Sequence, residues 1–432
     1  MNILFKNIDV ITGDGEVLYN TNVMVSDGVI SHVGKDLPES CGVIQRVVPG
    51  RGRLLMPGLY NTHTHVPMTA LRGYADDLPL DRWLNEFIFP IEDKLDARCA
   101  RICAEIAIAE MLRSGTVSFS DQYFFCDEIA SAAAAAGIKA NISRGTVGGE
   151  DFDPTTDTRM REQIALYDKW HGYDNGRIRI DFAVHAEYTS CRPVWEAVAR
   201  EAKDRGAGIS FHLSETQGEN ERCIEKYDAT PTELFYKAGL LGKGSYAAHG
   251  VWCKDEDMAI LAETGTSLCH CPVSNLKLGS GVARIARMQK AGVNVCLGTD
   301  GAASNNSLDM FEEMKFAALI AKGPYHSPAS LPAEEVVAMA CVNGAKSQQR
   351  ANCGLVRVGY EADLVMINTR VPSLTPNHEP YSTVVYAANG KDVEMTMVRG
   401  NVLYEKGEFK TLDWERIREE FFAYAAPRLF RD

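Results

Sequence analysis

His63 and His65 stand one residue apart in the run Met56-Pro-Gly-Leu-Tyr-Asn-Thr-His-Thr-His-Val-Pro-Met68. On a β-strand, side chains two apart share a face, so both imidazoles can turn toward one divalent ion. Imidazole suits zinc, iron, copper or nickel better than magnesium or calcium. Taken alone, His-x-His describes two polar residues on a loop equally well. The rest of the chain gives it weight: His185, His212-Leu-Ser-Glu215, His249, Ser274-Asn275 and Leu-Gly-Thr-Asp300-Gly each close a short apolar run. A single His in such a run is ordinarily a core residue with its own buried partner. Several at equivalent strand ends would each need one, whereas one convergent metal site satisfies them together.

His63, His65, His212 and Asp300 make an N₃O set with a position left for water, which a catalytic zinc site requires. A metal so held lowers the pKa of bound water toward neutrality and makes a nucleophile. Glu215, three residues after His212, can reach a substrate without being a ligand. Its bland alternative is a carboxylate at a helix N-terminus, favoured by the dipole alone. His249 can orient the water or a developing oxyanion, and its alternative is a fourth metal ligand. Cys269-His270-Cys271 could bind metal too, but no second Cys pair stands at zinc-finger spacing, so Cys269 and Cys271 are expected to be buried apolar residues. Neither a Walker pattern nor Gly-x-Gly-x-x-Gly is present.

Such residues need a frame that brings strand ends together. Between about 57 and 355, short apolar runs alternate with helical patterns. The runs are 54–66, Thr116–Tyr123, Lys139–Thr146, Arg179–Tyr188, Gly208–Thr216, Ser245–Trp252, Thr266–Asn275 and Val293–Gly301. Helical patterns such as Ala97–Arg113, Asp127–Ala136 and Val194–Arg205 lie between them. Many stop at a Gly (115, 137, 206, 265, 292), the residue best suited to the left-handed turn that ends a helix. Eight strand–helix repeats predict an α/β fold, a (β/α)₈ TIM barrel, although a doubly wound open sheet has the same local signals. In a barrel the active site lies at the C-terminal strand ends, where these polar residues fall.

Residues 1–56 read as short strands, and so do Ala362–Asn368 and Val393–Tyr404, with a hairpin turn at Arg399-Gly400-Asn401. Neither end can bury much alone, so 1–56 and 356–432 are expected to form one small β-sandwich beside the catalytic barrel 57–355. Asp413–Asp432 is predicted to be an amphipathic helix capped by Asp413. The net charge of −13 disfavours nucleic acid or an anionic membrane as partner, since phosphate recognition needs clustered Lys and Arg. No apolar run is long enough to span a bilayer, and the start lacks the charged and apolar regions of a signal peptide. Twelve scattered Cys fit reduced thiols. A cytoplasmic homo-oligomer is expected.

At these residues the chain resembles the amidohydrolase superfamily, metal-dependent (β/α)₈ barrels with a β-sandwich built from both chain ends. The resemblance is carried by Pro57-Gly-Leu-Tyr-Asn-Thr-His-Thr-His65, His212-Leu-Ser-Glu215, His249, Pro272-Val-Ser-Asn-Leu-Lys-Leu278 and Gly298-Thr-Asp-Gly-Ala-Ala-Ser-Asn305. The bridging Lys of two-metal members has no candidate here, which implies one divalent metal per chain: Zn²⁺, with Fe²⁺ or another divalent ion as alternatives. Within the mononuclear branch the chain is similar to the 5′-methylthioadenosine/S-adenosylhomocysteine deaminases, through Met68-Thr-Ala-Leu-Arg-Gly-Tyr-Ala-Asp-Asp-Leu78, Trp83 and Pro90-Ile-Glu92-Asp. That resemblance implies ribose binding by Glu92, carboxylate binding by Arg144 and Arg159, and a nucleoside contact by His185, with Trp83 and Glu215 also at the substrate.

The implied reaction is deamination of an adenine nucleoside at C6. In it Asp300 takes the water proton, His249 helps to orient the nucleophile, and Glu215 protonates N1 and carries a proton to the leaving ammonia. Deaminases of guanine or cytosine and triazine hydrolases share the metal residues, while a non-catalytic scaffold on the same barrel should lack some of them. One departure stands out. The family usually has Pro where this chain has Glu187, in Val184-His-Ala-Glu187-Tyr188. A carboxylate facing the pocket would disfavour an anionic substrate tail; one turned to a surface helix would leave the pocket alone.

Overall fold

The structure, a computed structural model, describes residues 2–37, 42–78, 82–324 and 326–431; Cys41 and Asp432 lie outside them. Eight parallel strands pair in sequence order: Leu59–Thr64, Thr116–Tyr123, Lys139–Thr146, Phe182–Val184, Ile209–Leu213, Ser245–His249, Ser267–His270 and Val295–Leu297. A further strand, Ile178–Ile180, pairs only with the third. The last strand meets the first through side chains and chain ends. Thr62 Oγ1 donates to the Leu297 carbonyl at 2.7 Å, and the Asp300 N–H donates to the His63 carbonyl at 2.9 Å. The approach there is close: a Cβ on Gly298 would stand 2.8 Å from the His63 nitrogen, so only glycine fits. The result is a parallel (β/α)₈ barrel rather than an open doubly wound sheet.

The second sheet joins both chain ends. Its strand order is Glu408–Phe409, Asn401–Glu405, Val393–Val398, Leu364–Asn368, Arg53–Pro57, Ile3–Ile11, Val17–Ser26, Val29–Gly34, with Arg46–Pro49 alongside Ile3–Ile11. Its faces close over their own core, including Phe5, Ile8, Val23, Leu55, Met366 and Met397, each burial worth roughly 1.5–3 kcal/mol before entropy is counted. Arg399 and Gly400 form the two-residue hairpin turn, both at positive φ as a type I′ turn demands.

The run 54–66 is not one strand. Arg53–Pro57 belongs to the terminal sheet, antiparallel to Leu364–Asn368, and Leu59–Thr64 opens the barrel. The chain crosses at Gly58, whose N–H bonds the Asp363 carbonyl at 2.9 Å while the next N–H, of Leu59, bonds Gly115. Periodicity misses the break because both halves are buried.

The helices follow the sequence pattern. Ala97–Arg113 forms as expected, capped by Asp96, and the others begin slightly earlier, at Cys126 and Arg192. The helix-ending glycines 115, 137, 206, 265 and 292 all have φ between 66° and 94°. Asp413 caps Trp414–Glu420, its side chain accepting the Arg416 N–H. The chain then continues through a wider turn to Phe430. No described helix is long and apolar enough to cross a membrane. The eleven described cysteines are buried and unbridged.

The seam between sandwich and barrel is polar at one point. Lys139, at the start of the third barrel strand, is buried against Asp363 and against Glu361 at 2.6 Å. Asp363 also accepts the Tyr60 hydroxyl at 2.7 Å and the Arg399 N–H at 3.0 Å. This lies at the N-terminal face of the barrel, where polar residues serve stability rather than catalysis.

Candidate metal and active site

The C-terminal strand ends bring the separated histidines into one cluster. His63 Nε2 and His65 Nε2 stand 3.4 Å and 3.3 Å from Asp300 Oδ1, and His212 Nε2 stands 3.4 Å from His65 Nε2. Two overlapping ligand groups result: His63, His65 and His212, and His63, His249 and Asp300. Each ring is aimed by its other nitrogen. His65 Nδ1 sits 2.6 Å from the Gln122 carbonyl and His212 Nδ1 2.8 Å from the His185 carbonyl. An imidazole that donates from Nδ1 presents a lone pair at Nε2, which is how metal-ligating histidines are oriented.

His63 Nε2 is buried with no hydrogen-bond partner among the described residues, an orphan that a metal would satisfy. Burial pulls the His63 ring down to about 4, outweighing the opposing pull of the nearby Asp300 carboxylate. Burial and the neighbouring imidazoles His185 and His63 also depress His212. Neutral imidazoles are the form that binds metal. The donor set therefore fits one divalent ion.

Asp300 is fixed on its far side. Its Oδ2 accepts the hydroxyls of Ser274 at 2.7 Å and Ser304 at 2.8 Å, and Oδ1 accepts the Gly301 N–H at 2.8 Å. Burial works to raise this carboxyl, and the close His63 and His65 rings hold it well below the ordinary carboxylate value. Asp300 and His249 have φ of 63° and 73°; each such strain costs of order 1–3 kcal/mol and persists where surrounding structure enforces it.

His249 points at both the cluster and Glu215. Its Nδ1 lies 2.9 Å from Asn275 Oδ1, and its Nε2 lies 3.8 Å from Glu215 Oε2. Burial would lower its pKa, but Glu215 and Asp300 outweigh that and raise it. Glu215 is buried, and burial, with Asp300 and Glu219, raises its carboxyl despite His249. A carboxyl tuned upward beside a metal cluster is suited to giving and taking protons near neutral pH.

These residues open into a cavity of about 740 Å³ whose wall includes His65, His212, Glu215, His249 and Asp300 together with all the other expected substrate residues: Trp83, Glu92, Arg144, Arg159 and His185. Arg144 is already engaged, its Nε donating to Glu162 at 2.8 Å and its guanidinium lying 5.1 Å from the Phe124 ring. Arg159 lies 3.7 Å from Asp157. Glu187 is not on the cavity wall. Glu187 is 3% exposed, and burial together with the charge of Glu219, on the helix Gln217–Tyr227, pushes its carboxyl up to about 9. The alternative in which it turns to a helix is the observed one, because a single 3₁₀ turn, Glu187–Thr189, ends the strand alternation at Val184.

The second strand contributes residues that the sequence reading passed over. Asp121 accepts the Val66 N–H at 2.6 Å and the Thr64 hydroxyl at 3.0 Å, pinning the His63–His65 strand end. The Tyr123 hydroxyl donates to Glu92, and both line the cavity. Asp121-Gln-Tyr123 closes an apolar run like those of the other strands, so the strand-end rule would have found it.

Comparison with known proteins places the chain in a family. Residues 54–403 match the model of the amidohydrolase family. The chain is 40% identical over 420 residues to a 5-methylthioadenosine/S-adenosylhomocysteine deaminase of Dictyoglomus turgidum, covering 97% of each chain. It is 42% identical over 405 residues to a 5′-deoxyadenosine deaminase of Methanothermobacter thermautotrophicus, covering 94% of each. Among solved structures, an adenosine deaminase from Xanthomonas campestris with bound zinc superposes with a TM-score of 0.93 at 32% identity, over 99% of this chain and 98% of that one. Barrel and terminal sandwich agree with these matches, and the chain belongs to the amidohydrolase family.

Proposed function

We infer that this chain is a hydrolytic deaminase of adenine nucleosides that carry various 5′ groups, converting them to the inosine analogue and ammonia. The observation that carries the reading is the placement of the buried Glu215 carboxyl 3.8 Å from His249, which itself groups with His63 and Asp300, on the wall of a nucleoside-sized cavity. The related deaminases of methylthioadenosine, adenosylhomocysteine and 5′-deoxyadenosine support the substrate class.

His63, His65, His212 and Asp300 would hold one divalent ion, and zinc is favoured by the donor set and by the zinc in the related adenosine deaminase. When bound, such an ion polarises water and stabilises negative charge developing on oxygen. The rest falls to the chain. Asp300 Oδ1 accepts a proton from the attacking water. His249, held by Asn275, keeps that water directed at C6. Glu215 donates to N1 and then passes a proton to the departing ammonia. Glu92, anchored by Tyr123, accepts from the ribose hydroxyls. Trp83 and Phe89 line the wall with aromatic surface, and His185 contacts the nucleoside. Arg144 and Arg159 lie where a charged 5′ tail would end. With Glu187 turned away from the cavity, tails with and without a carboxylate are both admitted.

The test is Glu215→Gln. Gln keeps the shape but exchanges no proton, so metal content and fold should be retained while kcat falls by ~10²–10⁴. A loss of less than about tenfold would remove Glu215 from the reaction.

A further inference from the structure

Arg144 stands between two cavities. It lines the nucleoside-sized cavity of about 740 Å³ and a second one of about 700 Å³ beside it. Phe89, Glu92 and Phe124 also line both, so the two spaces share a wall. Arg159 lines the first cavity and Glu162 the second.

Arg144 and Glu162 form a fixed pair of opposite charges. The Arg144 Nε donates to Glu162 Oε2 at 2.8 Å, and its Nη1 donates to the Gly145 carbonyl at 3.0 Å. The guanidinium carbon lies 5.1 Å from the Phe124 ring centre. The backbone holds the pair as well. Gln163, buried, accepts the Arg144 N–H at 2.5 Å through Oε1, and its Nε2 donates to the Asp181 carbonyl at 3.0 Å. That anchors the helix Thr158–Trp170 to the third barrel strand. The helix carries Arg159 and Glu162 three residues apart, and therefore as neighbours on its surface. An exposed ion pair ordinarily contributes little and selects nothing. Here the Arg144 side chain is only 14% exposed, against 52% for Glu162, and both partners line cavities.

The pair keeps open edges. Among the described residues no acceptor takes the N–H groups of Arg144 Nη2, and no donor other than Arg144 reaches the Glu162 carboxylate. Free guanidinium N–H groups are suited to a carboxylate, and a carboxylate oxygen accepts from an ammonium. An α-amino acid carries those two groups on one carbon, and Arg144 and Glu162 present their complements one hydrogen bond apart. A tail with a carboxylate alone would meet Glu162 as a like charge, and a tail with an ammonium alone would meet Arg144 and Arg159. Such juxtapositions disfavour the wrong partner.

We propose that Glu162 is a specificity-determining residue: beside Arg144 it completes a receptor for a zwitterionic α-amino acid tail, Arg144 taking the carboxylate and Glu162 the ammonium. The proposal rests on the reading of the larger cavity as the nucleoside site. A 5′ tail leaving that cavity along the shared wall meets both groups, and the anchor at Gln163 holds them in place before the tail arrives.

The test uses the metal-loaded full chain as wild type and Glu162→Gln, which keeps the shape and removes the charge. The substrates are four 5′-thioadenosines: methylthioadenosine, adenosylhomocysteine, and two analogues of adenosylhomocysteine, one lacking the ammonium and one lacking the carboxylate. kcat and KM are read by ammonia release, each kcat/KM as a ratio to methylthioadenosine. The wild type should favour adenosylhomocysteine over the carboxylate-only analogue by about tenfold or more, as one hydrogen bond between charged groups provides. Glu162→Gln should bring that preference to within about twofold of unity by raising KM for adenosylhomocysteine with kcat little changed, the pattern of lost uniform binding. A wild type without the preference, or a Glu162→Gln variant that retains it, would overturn the proposal. So would a gain on adenosylhomocysteine in Glu162→Gln, which would mean that Glu162 only withdraws Arg144 from the tail. Ammonia release from none of the four by the wild type would instead sink the deaminase reading. Calorimetric Kd values of the same four nucleosides would then decide the tail preference, so the two failures are distinguishable.

Discussion

His65 and His212 bring their Nε2 atoms to 3.4 Å although 147 residues separate them in sequence, and each ring is turned by a carbonyl at its Nδ1. Two imidazole nitrogens that close, each on a ring whose other nitrogen faces a carbonyl, suit a shared cation. Purified protein should therefore contain one divalent ion per chain by elemental analysis. His65→Ala and His212→Ala should each lose it together with nearly all activity, while far-ultraviolet circular dichroism stays that of the wild type. Two ions per chain at full occupancy would refute the mononuclear reading.

The Tyr123 hydroxyl donates to Glu92, and both side chains line the cavity. Burial raises the Glu92 carboxyl, opposed by Tyr123. Removing the hydroxyl leaves a buried acceptor short of one donor and the carboxylate free to turn. Tyr123→Phe should raise KM for ribonucleosides roughly tenfold, as expected from losing one hydrogen bond to a charged group, and should affect a 2′,3′-dideoxy analogue far less. Equal effects on both substrates would show that Tyr123 does not act through the ribose contact.

At the opposite end of the barrel, Lys139→Ala should be a stability mutation. It strands Asp363 without its cation, and breaking a buried pair typically costs ~3–5 kcal/mol. A lower urea midpoint with unchanged kcat per folded, metal-loaded chain is the expected result. In the wild type, burial acts to raise the Asp363 carboxyl, but Lys139 and Tyr60 hold it below its ordinary 3.8. The stability it contributes is present above the unfolded value and is lost as pH falls through the folded one. Lys139→Ala should therefore flatten the acid side of the stability curve.

Much of this arrangement could be read in the sequence because barrels impose a rule: strand after strand, polar residues interrupt an apolar run at its C-terminal end. His63, His65, His212, His249 and Asp300 obey it and meet in the structure. What periodicity could not reveal lies where backbone departs from regular strand. The single run 54–66 divides at Gly58, because buried strands of two different sheets look alike. Glu187, two residues after His185, would share its face on a continuous strand, but the 3₁₀ turn takes it off the cavity wall instead. The Tyr123–Glu92 contact joins a strand end to a helix 31 residues earlier, a tertiary relationship that no local pattern encodes.

The central claim, that the cavity deaminates adenine nucleosides at C6, is tested most directly by ammonia release from purified, zinc-loaded enzyme. The panel is methylthioadenosine, adenosylhomocysteine, 5′-deoxyadenosine, adenosine and guanine, with Glu215→Gln as the control. The account predicts stoichiometric ammonia and the matching inosine product from adenine nucleosides, little from guanine, and a drop of ~10²–10⁴ in the control. Turnover of guanine in preference to every adenine nucleoside, or ammonia release undiminished in Glu215→Gln, would contradict it.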